Sequence, residues 1–470
     1  MQEYRIESDL LGEKQLPIDV LYGIQTMRAI ENFPISQYHL YDFPAFVRGL
    51  ALTKQAAAIA NHTLGLLTDE QFAAIAQACQ EIEDGKYLDQ FPVDMIQGGA
   101  GTSTNMNANE VIANRALQLM GHQAGEYQYC SPNDHVNCSQ STNDAYPTAI
   151  HLGLYATHSV FKKHLQELIA AFRTKEKAFA DILKMGRTQL EDAVPMTLGQ
   201  TFGAFAQILE EEIVRLDRAA EEFLTVNMGA TAIGTGICSE PEYAELCIKA
   251  LHDVTGWDVR LAANLVAATS DTSCMVGYSS CLKRLATKIS KICNDLRLLG
   301  SGPRCGLHEI DLPARQPGSS IMPGKVNPVM PEVMTQIAFK VIGNDTCVTI
   351  ANEAAQMELN AMEPVMAQCC FESIQLMMNG FDVLRKYCIE GIEANKARCQ
   401  QYVKDSIGIV TALNPVIGYK NSTKIAKEAL QTGRSVYDLV LEHGVLTKEE
   451  LDTILSPENM IHPVKLGIKR

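Results

Sequence analysis

The sequence predicts an all-α protein with a central long-helix bundle, flanked by smaller, mainly helical N- and C-terminal domains. Two apolar stripes with three- and four-residue spacing carry this prediction, one over residues 202–223 and one over 278–299. Stripes of this length are typical of bundle helices packed side by side. The sequence shows no internal repeat with a period of 20–50 residues, which argues against a repeat protein. We therefore predict domains over residues 1–143, 144–398 and 399–470.

The N-terminal domain is expected to begin irregularly and then to become helical. Extended segments on either side of Gly12 predict a short hairpin. From about residue 45 to 90 the pattern is helical, and Asp69 is the expected N-terminal cap of a helix that continues through Phe72. Past residue 400 the apolar periods become shorter and are punctuated by glycines and Asn414-Pro415, which predicts the small C-terminal helical domain.

Composition and charge exclude several classes of protein. The net charge of −15 and pI near 5.3 argue against a nucleic-acid partner, which requires a basic face. No apolar run is long enough for a membrane span, and the first 30 residues lack the apolar core of a signal peptide. The 14 cysteines are scattered without a CxxC pair, which favours reduced thiols and a cytoplasmic location.

The sequence also indicates which cofactors and which charged side chains to expect at a small-molecule site. No HExxH or paired CxxC motif is present and the histidines are dispersed, so we expect neither a metal nor an organic cofactor. The sequence contains no readable site for activation by divalent ions. An acidic protein that binds an anionic substrate must build its positive field locally, which draws attention to Lys325 and Arg187.

Three polar segments interrupt the helical pattern, and the first covers residues 98–109 (GGAGTSTNMNAN). Its glycines permit a tight turn, and its hydroxyl and amide side chains can cap a helix expected to begin near Asn109. Exposed N–H groups at such a helix start attract anions, and Thr102 is the residue singled out there. The glycine spacing does not match a nucleotide-binding fingerprint, so a Rossmann domain is excluded.

The second polar segment covers residues 131–148 (SPNDHVNCSQSTNDAYPT) and also leads into a helix. A purely structural role is the alternative to substrate binding, because Asn143 and Asp144 are good N-terminal caps for a helix. His135 is expected to be a satisfied loop histidine rather than a base. Three consecutive side chains can nevertheless hold a carboxylate or an amine: Ser141, Thr142 and Asn143.

The third polar segment covers residues 186–200 (GRTQLEDAVPMTLGQ). Gly186 and Pro195 are expected to interrupt two long helices, so that Thr188 and Gln189 lie in the connection between them.

A fourth stretch, residues 317–331 (PGSSIMPGKVNPVMP), is the most distinctive; we call it the signature loop. Its two glycines and four prolines exclude a regular helix or strand. It carries two hydroxyls, one cation and one amide: Ser319, Ser320, Lys325 and Asn327. These groups suit a small anion with an abstractable proton. The alternative, a Gly/Pro connector, would explain a Gly-Ser-Ser sequence but not the whole string.

Together and in this order, the four segments resemble those of the aspartase/fumarase superfamily across nearly the whole chain. Members of this superfamily eliminate a group from a succinyl-type substrate and release fumarate. Fumarases typically carry GRTH in the third segment, whereas this chain has GRTQ at 186–189, as some aspartases do. Ser131 also stands where fumarases commonly carry histidine. The resemblance implies elimination of ammonia from aspartate, with fumarate hydration on the same scaffold as the alternative.

A non-catalytic helical scaffold is the alternative from another class, since lens proteins have been recruited from this superfamily. Intact Ser319, Lys325 and Asn327 count against it. The resemblance also implies a homotetramer in which each active site collects segments from three chains, with a small-molecule substrate and no membrane partner.

The resemblance assigns the general-base role to Ser319. It assigns substrate binding to Thr102, Ser141, Thr142, Asn143, Thr188, Gln189, Ser320, Lys325 and Asn327. Proton removal beside a carboxylate creates a dianionic aci-carboxylate, which fixed donors must stabilise. A serine base needs nearby positive charge or backbone N–H groups to favour its alkoxide, and Lys325 is the expected source.

Overall fold

The structure, a computed structural model, describes residues 3–462 and is dominated by helices. The helices are α1 (Ile24–Asn32), α2 (Pro44–Thr63), α3 (Asp69–Glu83), α4 (Thr102–Leu119), α5 (Thr142–Ala178), α6 (Leu198–Glu221), α7 (Tyr243–Thr255), α8 (Leu265–Ser270), α9 (Ser273–Leu299), α10 (Val329–Glu353), α11 (Glu363–Tyr387), α12 (Lys396–Asp405), α13 (Val410–Thr432), α14 (Val436–Glu442), α15 (Lys448–Ile454) and α16 (Pro457–Ile461).

Strands occur in the described residues only as two-stranded pairs. The pairs are β1 (Tyr4–Asp9) with β2 (Gly12–Pro17), β3 (Leu183–Thr188) with β4 (Glu191–Thr197), β5 (Thr225–Val226) with β6 (Arg260–Leu261), and β7 (Ile310–Asp311) with β8 (Glu393–Ala394). The β1–β2 pair is the predicted hairpin around Gly12.

The predicted all-α class is confirmed, because long helices account for most of the chain between 142 and 387. The apolar stripes at 202–223 and 278–299 lie in α6 and α9, where most of their large side chains are fully buried. Within residues 3–462, no helix is both long and apolar enough to cross a membrane.

One compact unit comprises residues up to 163, 212–287 and 337–378. Here α2 is the central element, since it packs against α3, α4 and α7. Its alanines and leucines form a buried core with residues around α7. This unit contains the first two polar segments.

The other compact unit comprises residues 164–211, 288–336 and those from 379 onward. The β3–β4 hairpin packs against α12, and Met185 joins an apolar core built from α13, α14 and α15. This unit contains the third polar segment and the signature loop. The domain boundaries at 143 and 398 stay a prediction.

Thr188 and Gln189 lie in the connection between α5 and α6, as predicted, but this connection forms the β3–β4 hairpin, which the sequence pattern did not predict. A register shift between Met185 and Arg187 marks a bulge beside Gly186, and Pro195 pairs with Met185. A bulge breaks the two-residue alternation by which strands are recognised, and a proline is unusual inside a strand. Both features concealed the hairpin.

Two predicted helix starts also differ. Thr68, not Asp69, caps α3: its Oγ1 accepts the Gln71 N–H and the Gln71 side chain accepts the Thr68 N–H, each at 3.2 Å. Helix α4 begins at Thr102 rather than near Asn109. Asn105, Asn107 and Asn114 form side-chain hydrogen bonds to distant segments, and these tertiary contacts override the low helix propensity of asparagine.

Helix α4 has a glycine at each end with a similar left-handed backbone, Gly101 (φ 89°) and Gly121 (φ 83°). A Cβ at Gly101 would lie 2.4 Å from the Tyr146 ring, whereas one at Gly121 would meet nothing within 4 Å. We expect Gly101→Ala to lower the free energy of unfolding by several kcal/mol and Gly121→Ala by only about 1 kcal/mol, as measured by urea denaturation. Equal losses would show that the Tyr146 contact does not limit residue 101.

Candidate active site

The first two polar segments meet around the buried amine of Lys54, on α2. Its Nζ donates to Asn105 Oδ1 at 2.6 Å, Gln140 Oε1 at 2.8 Å and Asn137 Oδ1 at 3.2 Å. Three acceptors match the three N–H bonds of an ammonium group. Burial lowers the pKa of Lys54 to about 7, and the nearby Asp144 carboxylate opposes this shift.

Lys54 binds residues that lie close in sequence to two predicted substrate-binding residues, Thr102 and Ser141. Asn105 follows Thr102 in the first turn of α4, and Gln140 immediately precedes Ser141. Lys54 therefore holds together the backbone that presents Thr102 and the backbone that presents Ser141. The Thr102 side chain itself is exposed, and its hydroxyl donates to the Gly99 carbonyl at 2.9 Å.

The carboxylate of Asp144 joins the start of α5 to a glycine-rich segment, residues 227–236. Its Oδ1 accepts two N–H groups at the start of α5, among them that of Ser141 at 2.9 Å. Its Oδ2 accepts the N–H groups of Gly229 at 3.1 Å and Thr231 at 2.9 Å. Burial raises the pKa of the Asp144 carboxyl, while the backbone donors act in the opposite direction.

Asn143 is fixed by contacts to the same glycine-rich segment. Its Nδ2 donates to the Ala232 carbonyl at 2.7 Å, and Asn227 Nδ2 donates to the Asn143 carbonyl at 3.0 Å. One N–H of Nδ2 is engaged, and Oδ1 has no hydrogen-bond partner among the described residues, so Asn143 can offer this oxygen to a ligand. A carbonyl oxygen accepts hydrogen bonds, so this position suits an amino group.

Ser141 and Thr142 complete the start of α5, and both are half-buried. The Ser141 Oγ accepts the Asn143 N–H at 3.2 Å, so Ser141, rather than Asn143, provides the cap. No hydrogen bond to the Thr142 hydroxyl is formed within residues 3–462. His135 is satisfied, as predicted: its Nδ1 accepts the Ser131 N–H at 2.7 Å, and burial lowers its pKa.

In the other unit, Thr188 and Gln189 lie at the tip of the β3–β4 hairpin, and both are exposed. Gln189 and Leu190 form its two-residue turn, with φ of 56° and 68°. Glycine, asparagine or aspartate normally occupies such positions, because a larger side chain is strained there by about 1–2 kcal/mol. Strain of this kind clusters at functional sites.

Arg187 does not contribute free positive charge at this hairpin. Its Nη1 lies 2.9 Å from Oε1 of the fully buried Glu309, and its guanidinium lies over the Tyr402 ring at 5.3 Å. Lys184 Nζ approaches the same carboxylate at 3.4 Å. Arg187 therefore anchors the hairpin within its own unit.

The ends of the signature loop are held together by hydrogen bonds. Asn327 Nδ2 donates to the Gly318 carbonyl at 2.9 Å, and the Gly318 N–H donates to the Lys325 carbonyl at 2.6 Å. A Cβ at Gly318 would lie 2.7 Å from that carbonyl oxygen, so only glycine permits the approach. The loop is thus closed at its base while Ser320 and Lys325 are exposed at its surface.

Ser319 is half-buried, and its Oγ accepts the N–H groups of Ile321 at 3.2 Å and Met322 at 3.0 Å. Two N–H donors stabilise negative charge on an oxygen, which is the requirement for a serine base. Lys325 was expected to meet this requirement, but its ammonium forms no hydrogen bond or ion pair within residues 3–462. The backbone therefore supplies the donors seen at Ser319.

Sequence reasoning missed Lys54, Asp144 and the glycine-rich segment 227–236. Lys54 could have been found, because a single lysine occupies the apolar face of α2 among Leu50, Ala51, Ala57 and Ala58. The glycine-rich segment (NMGATAIGTG) contains three glycines and two threonines, the same numbers as residues 98–109. Thr231 in it adopts φ 54°, which is unusual for a β-branched residue.

Across residues 3–462, no group of three His, Cys, Asp or Glu side chains is arranged to hold a metal ion. All fourteen cysteines are free thiols, as their scattered positions predicted.

Comparisons with known proteins agree on a family. Residues 12–343 match the family described as "Lyase", and residues 409–462 match "Fumarase C C-terminus". Aspartate ammonia-lyase of Pseudomonas canavaninivorans is 57% identical, covering 99% of this chain and 98% of its own length. Aspartate ammonia-lyase of Escherichia coli (strain K12) is 55% identical, covering 98% of this chain and 96% of its own.

Solved structures give the same result for the fold. A Brucella melitensis protein described as fumarate lyase:delta crystallin, bound to cobalt, superposes with a TM-score of 0.95 at 50% identity, covering 98% of this chain and all of its own. A recombinant class II fumarase from Schistosoma mansoni has a TM-score of 0.92 at 32% identity, covering 97% and 99%.

The Asp144 contacts predict a measurable loss on substitution. Asp144→Asn keeps the shape but turns one oxygen into a donor facing backbone N–H groups. We expect the free energy of unfolding to fall by about 2–3 kcal/mol in urea titrations, because buried donors lose their acceptor. Asp19→Asn, at an exposed carboxyl, is the control and should change it by less than about 0.5 kcal/mol. If both variants were equally stable, Asp144 would not hold the two segments together.

Proposed function

This chain belongs to the aspartase/fumarase superfamily and is a lyase, and from that premise we propose that it catalyses the reversible elimination of ammonia from L-aspartate to give fumarate. One observation carries the proposal: aspartate ammonia-lyases are 54–58% identical to it over nearly their whole length. Gln189, which stands in place of the fumarase-type histidine, supports the same substrate.

The proposed reaction begins with proton transfer to Ser319. Its alkoxide removes a proton from the carbon beside the side-chain carboxylate of aspartate, forming an O–H bond. The electron pair of the broken C–H bond moves into that carboxylate, giving the dianionic aci-carboxylate. Two backbone N–H donors to Ser319 Oγ support this assignment, because they favour the charged base.

Hydroxyl groups are proposed to stabilise the intermediate because they donate hydrogen bonds without competing as bases. The proposed donors are Thr102, Ser141, Thr142 and Ser320. The intermediate then collapses: the C–N bond breaks, ammonia departs with that electron pair, and the new double bond of fumarate forms.

Lys325, Asn327 and Thr188 are proposed to hold the second carboxylate, and Asn143 and Gln189 the amino group. The free Oδ1 of Asn143 supports its share in this assignment, since Nδ2 is engaged by Ala232. No organic cofactor or metal is required by these steps. The fourteen free thiols support a cytoplasmic location.

Fumarate hydration is the second candidate, supported by the fumarase C-terminal match and the similarity to the Schistosoma mansoni fumarase. The lower identity of 32% places it behind ammonia elimination. A non-catalytic scaffold is disfavoured because every proposed site residue is present.

Turnover assays distinguish these functions. Purified protein should release fumarate, detected by its ultraviolet absorbance, from L-aspartate at least ~100-fold faster than from L-malate at equal concentration. The reason is that the proposed amino-group contacts, Asn143 and Gln189, provide no acid for expelling a hydroxyl. Malate turnover equal to or above aspartate turnover would contradict the assignment.

We also propose a homotetramer with composite sites. One chain would supply Thr102 and Ser141–Asn143, a second Thr188 and Gln189, and a third the signature loop. Large apolar side chains that stay exposed along α10, including Phe339 and Ile350 (both 62% exposed), support burial against other chains.

Mixing two inactive variants tests composite sites. Ser319→Ala and Thr188→Val should each be inactive, yet after joint refolding at one-to-one ratio about a quarter of sites should draw both intact segments from the right chains. Fumarate production near a quarter of the native rate is therefore expected. Zero activity in mixed tetramers verified by native mass spectrometry would show that each site forms within one chain.

A further inference from the structure

A cavity of about 370 Å³ lies within the first compact unit, and one of its lining residues, Asn227, contacts Asn143. Pro147 and His151 of α5 form one wall, and α8 with the residues before it forms another. This volume falls within the range of small-molecule sites, which begins near ~300 Å³. Neither the proposed reaction nor the proposed binding residues use it.

Glu363, the first residue of α11, lines this cavity and is only 3% exposed. Its carboxyl forms no hydrogen bond or ion pair with any residue in the described part of the chain. Burial raises the pKa of Glu363 to about 8, so the carboxyl is mostly protonated at neutral pH. A buried carboxyl without a partner is costly and calls for a ligand.

The other lining groups also accept hydrogen bonds. Glu222 and Asp271 line the same cavity and are exposed, so they mark its solvent side, whereas Glu363 marks its interior. Asn227 is buried and directs Nδ2 elsewhere, which leaves its Oδ1 as an acceptor. The lining contains no lysine or arginine.

His151 adds no positive charge. Its Nδ1 lies 3.1 Å from the Thr225 carbonyl, to which it can only donate, so Nε2 accepts from the Cys274 thiol at 3.2 Å. Burial lowers the pKa of His151 to about 4 and raises that of Cys274. Both groups are therefore neutral and already paired.

We propose that this cavity is a second small-molecule site that binds an aliphatic amine, with one ammonium group at Glu363. A diamine is the preferred ligand, because Glu222 and Asp271 line the same cavity and offer carboxylates to a second ammonium group. An amino acid fits poorly, since its carboxylate would face carboxylates. A metal ion fits poorly as well, since the described residues contain no cluster of three ligands for one.

An amine bound in this cavity should alter the proposed substrate site through Asn227. This residue lines the cavity and donates to the Asn143 carbonyl, and Asn143 is proposed to hold the substrate amino group. Bound amine should therefore change the KM for aspartate more than kcat. This consequence rests on the proposed function, whereas binding itself does not.

The test is calorimetric titration of the native protein with 1,4-diaminobutane, with butylamine and butane-1,4-diol as matched probes. We expect saturable binding with one site per chain, weaker binding of butylamine and none of the diol. Repeating the titration in buffers of different ionisation enthalpy should show release of close to one proton at pH 7, because an ammonium partner displaces the proton of Glu363.

Glu363→Gln should weaken diamine binding about tenfold or more and abolish proton release, because it removes the charge-assisted contact. Glutamine resembles the protonated side chain, so the fold should be kept. Glu83→Gln is the control, since burial raises the pKa of Glu83 to about 7 outside this cavity. Ala268→Leu, which fills the cavity, should block binding independently of charge.

Several results would overturn the site: no binding at millimolar diamine, unchanged binding in both Glu363→Gln and Ala268→Leu, or equal binding of the diol. Because these measurements require no turnover, they would stand even if the protein failed to convert aspartate.

Discussion

Asp144 accepts four backbone N–H bonds, and the arrangement of the predicted substrate-binding residues in its unit depends on them. They join the start of α5 to the glycine-rich segment 227–236, which in turn accepts a hydrogen bond from the Asn143 side-chain amide and donates one to the Asn143 backbone carbonyl. Lys54 adds a second buried anchor between Asn105 and Gln140. Two buried ionisable groups thus position hydroxyl and amide side chains for binding, which is the pre-organisation that recognition of a small anion requires.

The other unit presents its proposed site residues on strained or closely constrained backbone. Gln189 lies in a two-residue turn with positive φ, and Gly318 approaches the Lys325 carbonyl too closely for any side chain. Such backbone persists only where surrounding contacts enforce it, as the buried Glu309 does for the hairpin through Arg187. In this unit, the residues proposed to contact substrate are therefore different from those that hold the backbone in place.

The long helices and the segments that carry the proposed site residues could be predicted from the sequence, because both depend on local sequence patterns. Apolar stripes set α6 and α9, and clusters of glycine and hydroxyl residues marked the site segments. The β3–β4 hairpin was missed because a bulge and Pro195 conceal its alternation. The anchoring roles of Lys54 and Asp144 were missed for another reason: Asn105 and Gln140, which Lys54 joins, and Gly229 and Thr231, which Asp144 binds, lie more than 50 residues from them along the chain, and no local pattern identifies such partners.

The crystal structure of the Ser319→Ala protein with L-aspartate bound would show directly whether the start of α5 holds the substrate. Without its base the protein should hold intact substrate. We expect the amino group of aspartate within hydrogen-bonding distance of Asn143 Oδ1 and a carboxylate in contact with Ser141 and Thr142. Aspartate bound away from the start of α5, or with its carboxylate at Asn143 Oδ1, would contradict this arrangement.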